Sequence, residues 1–364
     1  MGMHILHTEA SPGWGGQEIR ILREAEGMRE RGHLVIMAIN RHGKLIAPAR
    51  KSGFKVYEVP FEKMHYPLAL SRLMKIIKKH DIDIVNTHSS RDAWLGGIAA
   101  RLLRRRVIRT RHLSTAIRSG LNSIALYNWL ADSVVTTCSS VVEPICRQAS
   151  LSKENCRSIP TGIDPEFIQL VQGEVRAFRD SLGICDETCL LGTACVLRSW
   201  KGISDFLKAA KILENIPKIK WLIVGGGVSE NYFRREWEKM RMRDNVFFTG
   251  HLENPFPAMA AMDVFALLST ANEGVSQASL QAAYLKKPLI TTSVGGLPEV
   301  CLDGKTGFRV NCFSPEEIVE RVLLLSKDEN LRNTMGEAAH RLVMERFTLE
   351  KTLDEMEGVY SKVR

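Results

Sequence analysis

Residues 269–307 read S-T-A-N-E-G-V-S-Q-A-S-L-Q-A-A-Y-L-K-K-P-L-I-T-T-S-V-G-G-L-P-E-V-C-L-D-G-K-T-G. An apolar run, Val264 to Leu268, precedes them and has the length and composition of a buried strand. Asn272, Glu273 and Gly274 break that run, and Ser276 to Leu285 is rich in Ala, Leu and Gln, as a helix is. A second apolar run, Pro288 to Thr292, enters a turn at Gly295 and Gly296. The order is strand, polar turn, helix, strand, turn. In α/β proteins such a turn lies at the carboxyl edge of a parallel sheet, where ligands bind. Glu273 is therefore expected at the mouth of that edge, beside helix-start amides of Gly274, Val275 and Ser276 that suit an anion.

Working outward, the rest of the chain repeats the alternation. Strands are expected at Met3–His7, Leu34–Ile39, Phe54–Val59, Ile84–Thr87, Val107–Thr110, Ser133–Thr137 and near Arg157–Ile159, with helices between, such as Gln17–Arg31, Leu68–His80 and Trp94–Leu103. That pattern implies a doubly wound parallel sheet. A second α/β unit opens at Cys189–Val196 and continues through Trp221–Val224 and Val246–Thr249. At 364 residues the chain is about twice a typical domain, so two domains are expected. We place them at 1–165 and 182–346, joined by a polar linker helix and turn within 165–185, with a terminal helix at 347–364.

Composition excludes some classes. Hydrophobic content of 45% and charged content of 25% are ordinary for a globular protein. No apolar run approaches the roughly 18 residues of a membrane span. The opening residues read as a strand rather than a signal peptide, and the eight cysteines form no C-x-x-C pair and read as buried free thiols. A cytoplasmic location is expected. The net charge of +9 is uneven: residues 1–165 hold 25 Lys+Arg against 14 Asp+Glu, and the remainder 25 against 27. Arg101, Arg104, Arg105, Arg106, Arg109 and Arg111 crowd one helix end and the next strand. An anionic partner of the first half is expected. Aromatic residues do not interleave with these charges and no nucleic-acid motif occurs, so a membrane surface or acidic glycolipid ranks above nucleic acid.

Several loops carry the chemistry. Arg198 and Lys201 follow a strand and precede a helix, a place for a pyrophosphate, although an exposed basic turn would look the same. Ser11 to Glu18, S-P-G-W-G-G-Q-E, joins the first strand to the first helix, and Gly15 and Gly16 would let backbone amides approach a ligand or simply make a tight turn. His88 and His112 both fall at strand carboxyl ends, as ligand-facing or as partly buried, satisfied histidines. Gly225 begins a run of three glycines that is either a plain turn or a close approach. Asp81-Ile82-Asp83 has a D-x-D form but enters a strand at its amino end, the wrong edge for a ligand. No metal-ligand spacing appears.

Glu273-Gly274, Val294-Gly295-Gly296-Leu297-Pro298-Glu299, Arg198 with Lys201, and Pro160-Thr161-Gly162-Ile163-Asp164 together resemble retaining nucleotide-sugar glycosyltransferases of the GT-B, family-four type. The resemblance spans both halves. It implies two Rossmann-like domains facing a cleft, with the last helix crossing back to the first. It implies sugar transfer with retention from a UDP-, GDP- or ADP-sugar, no cofactor and no divalent metal. Arg198 and Lys201 would hold the leaving diphosphate, while Glu273 and His112 would orient the sugar. Gly15, Gly16, Gly225, His251, Leu252, Gly274, Val275 and Ser276 would line the donor. Trp14 and His88 would line the acceptor, an anionic glycan or glycolipid at the inner membrane face, as in lipopolysaccharide synthesis. The family's second motif glutamate is Gln281 here, and Thr161 replaces an asparagine. Gln281 keeps an acceptor oxygen for a ribose hydroxyl but loses the charge. The alternative is a non-catalytic nucleotide-sugar-binding subunit of another transferase, supported by those two departures alone.

Overall fold

The computed structural model describes residues 2–112, 114–241 and 245–363. Met1 and Arg364, which bounded the expected first and last segments, lie outside the described residues. The chain divides into two compact units, Met1–Thr161 with Leu349–Arg364, and Gly162–Thr348.

The first unit is built on strands β1 (His4–Glu9), β2 (Leu34–Asn40), β3 (Lys55–Val59), β4 (Ile84–Thr87), β5 (Arg106–Arg111), β6 (Ser133–Thr136) and β7 (Cys156–Ser158). They form one parallel sheet in the order β3-β2-β1-β4-β5-β6-β7. Central strands are buried on both faces, and toward their carboxyl ends they bury polar residues, among them His7, Glu9, Asn86, Thr87 and Arg109. The chain order reverses between β1 and β4, so the loops leaving those two strands diverge and open a crevice at the carboxyl edge.

The terminal helix, Leu349–Val363, packs on this unit's helix Gly16–Glu30. Leu353, Met356, Val359 and Tyr360 are buried in the same core as Ile21, Ala25 and Met28. At about 1.5–3 kcal/mol for each large apolar side chain, that face contributes on the order of 6–12 kcal/mol before ordering costs. The two helices touch closely because residue 27 is glycine: a Cβ there would lie 2.2 Å from Leu353 Cδ1. Arg31 then bridges to Glu350, Asp354 (2.7 Å) and Glu357 (2.9 Å) at the exposed margin.

The second unit holds β8 (Cys189–Ala194), β9 (Ile219–Val224), β10 (Val246–Gly250), β11 (Val264–Leu267), β12 (Leu289–Thr291) and β13 (Gly307–Arg309). The parallel order is β10-β9-β8-β11-β12-β13, with its own reversal between β8 and β11. The core includes Trp221, Phe206 and Phe233, with Phe206 and Trp221 meeting edge to face at 4.9 Å.

One expectation needs correction, and two others gain detail. Cys185 is exposed, because it sits in the turn before β8, although most of the other thiols are buried. The arginine cluster is partly neutralised, with Arg104 and Arg106 exposed. Arg109 is buried, with Nη1 donating to the Thr87 carbonyl at 3.2 Å. Arg101 and Arg106 both pair with Asp132, at 3.0 and 3.3 Å, and Arg105 pairs with Asp81 at 2.6 Å. The linker helix expected within 165–185 is present at Glu174–Ser181. Its Arg179 is buried and donates to the carbonyls of Ala261 and Thr188 at 2.8 and 2.7 Å.

Candidate functional site

In the second unit the reversal point is where the sequence-predicted residues gather. The loop leaving β8, residues 195–202, carries Arg198 and Lys201; the loop leaving β11, residues 268–276, carries Glu273. Strands β8 and β11 are direct neighbours, Leu191 opposite Val264, so their loops emerge side by side. A backbone bond ties them, the Thr270 amide donating to the Trp200 carbonyl at 2.8 Å. Gly202 explains how they come so close. Its φ is +70°, and a Cβ there would sit 2.0 Å from the Leu268 carbonyl oxygen. No other residue type fits that position without moving the loop.

The Lys201 ammonium is ion-paired to the Glu273 carboxylate. Glu273 is 5% exposed, and the Ser269 hydroxyl donates to the same Oε1 at 2.7 Å. Ser269 is fixed in turn by Thr292, whose hydroxyl donates to its carbonyl at 2.5 Å. The Glu273 carbonyl accepts from the Gly296 amide at 3.3 Å, so the Gly-Gly turn supports the glutamate's own backbone. Arg198 is exposed, with its guanidinium 5.2 Å from the centre of the Trp200 ring. One buried ion pair and one exposed guanidinium thus share one loop system. An exposed guanidinium offers a planar fork to an incoming phosphate, while the lysine is already engaged.

The helix after Glu273 spans Gln277–Tyr284 and is capped by Ser276, whose hydroxyl accepts from the Ser279 amide at 3.4 Å. Gly274 and Ser276 are half-buried and Val275 is buried. Gln281 lies in the second turn of this helix, half-buried. Gly225 has a structural reason of its own. Its φ is +123°, a Cβ would meet the Cys195 carbonyl oxygen at 2.0 Å, and its amide donates to the Gly250 carbonyl at 2.9 Å. His251 is exposed and Leu252 half-buried, just beyond that bridge.

The first unit has its own constellation at the β1/β4 reversal. Gly15 is the extended residue before the helix Gly16–Glu30, and Trp14 beside it is 42% exposed. His88 directly follows β4 and His112 directly follows β5, as expected, and the structure joins them: His88 Nδ1 and His112 Nε2 are 3.0 Å apart. His7, on β1, completes the row, with Nδ1 2.9 Å from His88 Nε2 and the two rings stacked at 5.1 Å. Burial pushes His7 below the usual histidine range, against the pull of the Glu24 carboxylate. His88 and His112 lie well below it, through burial first and then neighbouring histidines and the Arg20 and Arg109 cations.

Two carboxyl groups stand beside the row. Glu9, the last residue of β1, is 1% exposed and accepts from the Ser11 amide at 2.6 Å and from the side chains of Gln17 and Ser89. Asp92 accepts from the His88 amide at 2.8 Å, the Ser89 amide at 2.9 Å and the Thr8 hydroxyl at 2.9 Å. Burial, and then the charge of Asp92, pushes the Glu9 carboxyl up to about 8. Burial raises Asp92 to about 6, opposed by Arg109.

Both loop systems fall within regions shared with known proteins. Residues 14–167 match the family model described as Glycosyltransferase Family 4, and residues 175–342 match that of Glycosyl transferases group 1. The chain is a GT-B glycosyltransferase of the family-four type. This transferase is 25% identical over 309 residues to the capsular polysaccharide biosynthesis glycosyltransferase CapM of Staphylococcus aureus, covering 80% of each chain. It is also 25% identical to the N-acetyl-alpha-D-glucosaminyl L-malate synthase of Bacillus anthracis, over 83% of this chain and 81% of that one. Its fold matches a glycosyltransferase from Rickettsia africae with a TM-score of 0.91 at 18% identity, covering 100% and 98% of the two chains. Anabaena HepE, solved with UDP-glucose, matches with a TM-score of 0.85 at 20% identity, covering 99% and 100%.

Sequence reasoning missed His7, Glu9 and Asp92 in this transferase. The signal was faint: H-T-E at the end of the first strand and D two residues into the helix after His88. It becomes legible only once β1 is known to lie beside β4.

Proposed function

We propose that this glycosyltransferase moves a sugar from a nucleotide diphosphate to an acceptor hydroxyl with retention of anomeric configuration and without a divalent metal. The observation that carries the reading is the meeting of Arg198, Lys201 and Glu273 at the β8/β11 reversal. A departing diphosphate concentrates negative charge, and preorganised cations at that point stabilise the transition state more than the ground state. Arg198 is the exposed fork for it. Lys201 is held ready by Glu273 and would exchange part of that pairing for a phosphate oxygen. Glu273 and His112 then serve to orient the sugar. The donor is bound on the second unit, through Gly274, Val275, Ser276, His251, Leu252 and Gln281. UDP is the first nucleotide to test, since HepE was solved with it. The excess of basic residues in 1–165 favours an anionic acceptor, a glycan or glycolipid, on the first unit. Among the described residues no helix is long and apolar enough to cross a membrane, so contact with a lipid-borne acceptor would be peripheral.

The test is direct. The purified chain is screened by thermal shift against UDP, GDP and ADP, because a ligand of the native state raises its apparent stability. Transfer from the matching nucleotide sugar is then measured in EDTA with acidic and neutral glycolipid acceptors. Arg198→Ala is expected to reduce turnover by at least about a hundredfold, the usual loss on removing one transition-state charge partner. Turnover equal to the wild type in that variant would sink the assignment.

A further inference from the structure

The row of histidines in the first unit obeys a proton count that none of its members shows alone. A neutral imidazole has one nitrogen that donates and one that accepts. Three rings supply six nitrogens. The bond between His7 Nδ1 and His88 Nε2, and the bond between His88 Nδ1 and His112 Nε2, use four of them. Each bond needs one proton. If His88 carries its proton on Nδ1, it donates to His112 Nε2, so His112 must be protonated on Nδ1. His88 Nε2 then accepts, so His7 donates from Nδ1. If His88 carries its proton on Nε2, every assignment reverses together. No mixed arrangement of neutral rings keeps both bonds.

The rings have little freedom to escape this count. His7 and His88 are 1% and 2% exposed. The His88 backbone is fixed by Asp92, and the His112 carbonyl accepts from the Thr137 hydroxyl at 3.1 Å. At the inner end His7 Nε2 is buried and meets no hydrogen-bond partner among the described residues. At the outer end the half-buried His112 leaves Nδ1 over. The inner end is closed, so whatever the chain exchanges, it exchanges through His112. Burial keeps the rings neutral, the condition under which the count holds.

We propose that His7, His88 and His112 form one unit in which all three rings carry the proton on the same type of nitrogen, so that His7 is a positioning residue that sets whether His112 Nδ1 donates or accepts. The substrate clause, that His112 Nδ1 meets a hydroxyl of the sugar or acceptor, rests on the glycosyl-transfer reading above. The tautomer clause does not.

The experiment has two arms. In the first, the full chain is labelled with 15N-histidine, and long-range proton–nitrogen correlations are recorded near pH 7.5 with no substrate. Each ring is assigned by single His→Gln replacement. The expected spectrum shows His7, His88 and His112 as three rings of one tautomer, all Nδ1–H or all Nε2–H. One ring of the opposite tautomer, or a charged ring, overturns the proposal. In the second arm, kcat and KM are compared for His7→Leu and His7→Asn. Asparagine places an amide where Nδ1 stood and can donate or accept there, whereas leucine can do neither. His7→Leu is expected to lower kcat by about tenfold or more, as removing a partner that orients a functional imidazole does, and to shift the His112 nitrogen signals. His7→Asn is expected to restore both to within about threefold of wild type. Equal loss in both variants, or none in either, would show a packing role and refute the positioning one. The first arm reads the unsubstituted chain with no donor bound, so its outcome stands even if the glycosyl-transfer reading fails.

Discussion

The Lys201–Glu273 pair makes a prediction that separates stability from catalysis. Both side chains are largely withdrawn from water, 17% and 6% exposed. Replacing Lys201 by Ala removes the ammonium from a carboxylate that stays buried beside the Ser269 hydroxyl. Breaking one partner of a buried pair costs about 3–5 kcal/mol, because the remaining charge is desolvated without its counter-ion. The lysine's residual exposure allows water to offset part of that, so about 2–3 kcal/mol is the expected loss. Replacing both partners, Lys201→Met with Glu273→Gln, removes both charges and should recover most of it. Differential scanning calorimetry reads the effect in the transition of the second unit, where each kcal/mol moves the midpoint by about 2–4 °C for a unit of this size. Lys201→Ala should therefore lower that midpoint by roughly 4–12 °C, and the double variant by roughly 4 °C or less. The coupling follows from the closed cycle of wild type, Lys201→Met, Glu273→Gln and the double variant. Strictly additive effects, or a single variant as stable as wild type, would refute the view that the pair is closed in the free protein. The same numbers guard the activity assay. A Lys201→Ala protein that transfers no sugar is informative only if it is still folded at the assay temperature, and Arg198, which is exposed, makes the cleaner functional variant.

Two further expectations concern single side chains. Glu9 is pushed up to about 8 against an ordinary value of 4.5. The folded chain therefore binds more protons than the unfolded chain between those values, so stability contributed at this site falls as pH rises through that window. Urea midpoints measured from pH 6.5 to 8 should decline less steeply in Glu9→Gln, and an unchanged slope would show that Glu9 is ionised throughout. The lowered histidines act in the opposite sense only below about 6.5, which confines their effect to the acid end. Gln281→Glu, under the proposed donor site, would exchange a neutral bond to a ribose hydroxyl for a charge-assisted one. The gain is about 1 kcal/mol, or about fivefold tighter nucleotide diphosphate by calorimetry. No change in affinity would remove Gln281 from the donor site.

Buried parallel strands announce themselves in a sequence as apolar runs, so β8, β9, β10 and β11 were legible within a residue or two at most ends. The site loops in the second unit were legible for the same reason: a polar break after an apolar run marks a carboxyl edge wherever the strand lies in its sheet. Pairing was not legible. That Lys201 lies against Glu273, 72 positions away, depends on β8 lying beside β11, and strand order is a property of the whole sheet. The arginine cluster was legible as charge but not as pairing. Six cations are close in sequence, and Asp81 and Asp132, which pair with three of them, come from other loops. The histidine row joins both lessons. His88 and His112 were legible because each directly follows a strand, but only the order β1-β4-β5 sets His7, His88 and His112 on or just beyond three neighbouring strands. Neighbouring strands are about 4.8 Å apart, close to the 5.1 and 5.2 Å between successive ring centres. The sheet's own spacing therefore sets the pitch of the imidazole chain. Two sequence-distant residues can share a proton here only because the backbone ladder beneath them keeps that distance.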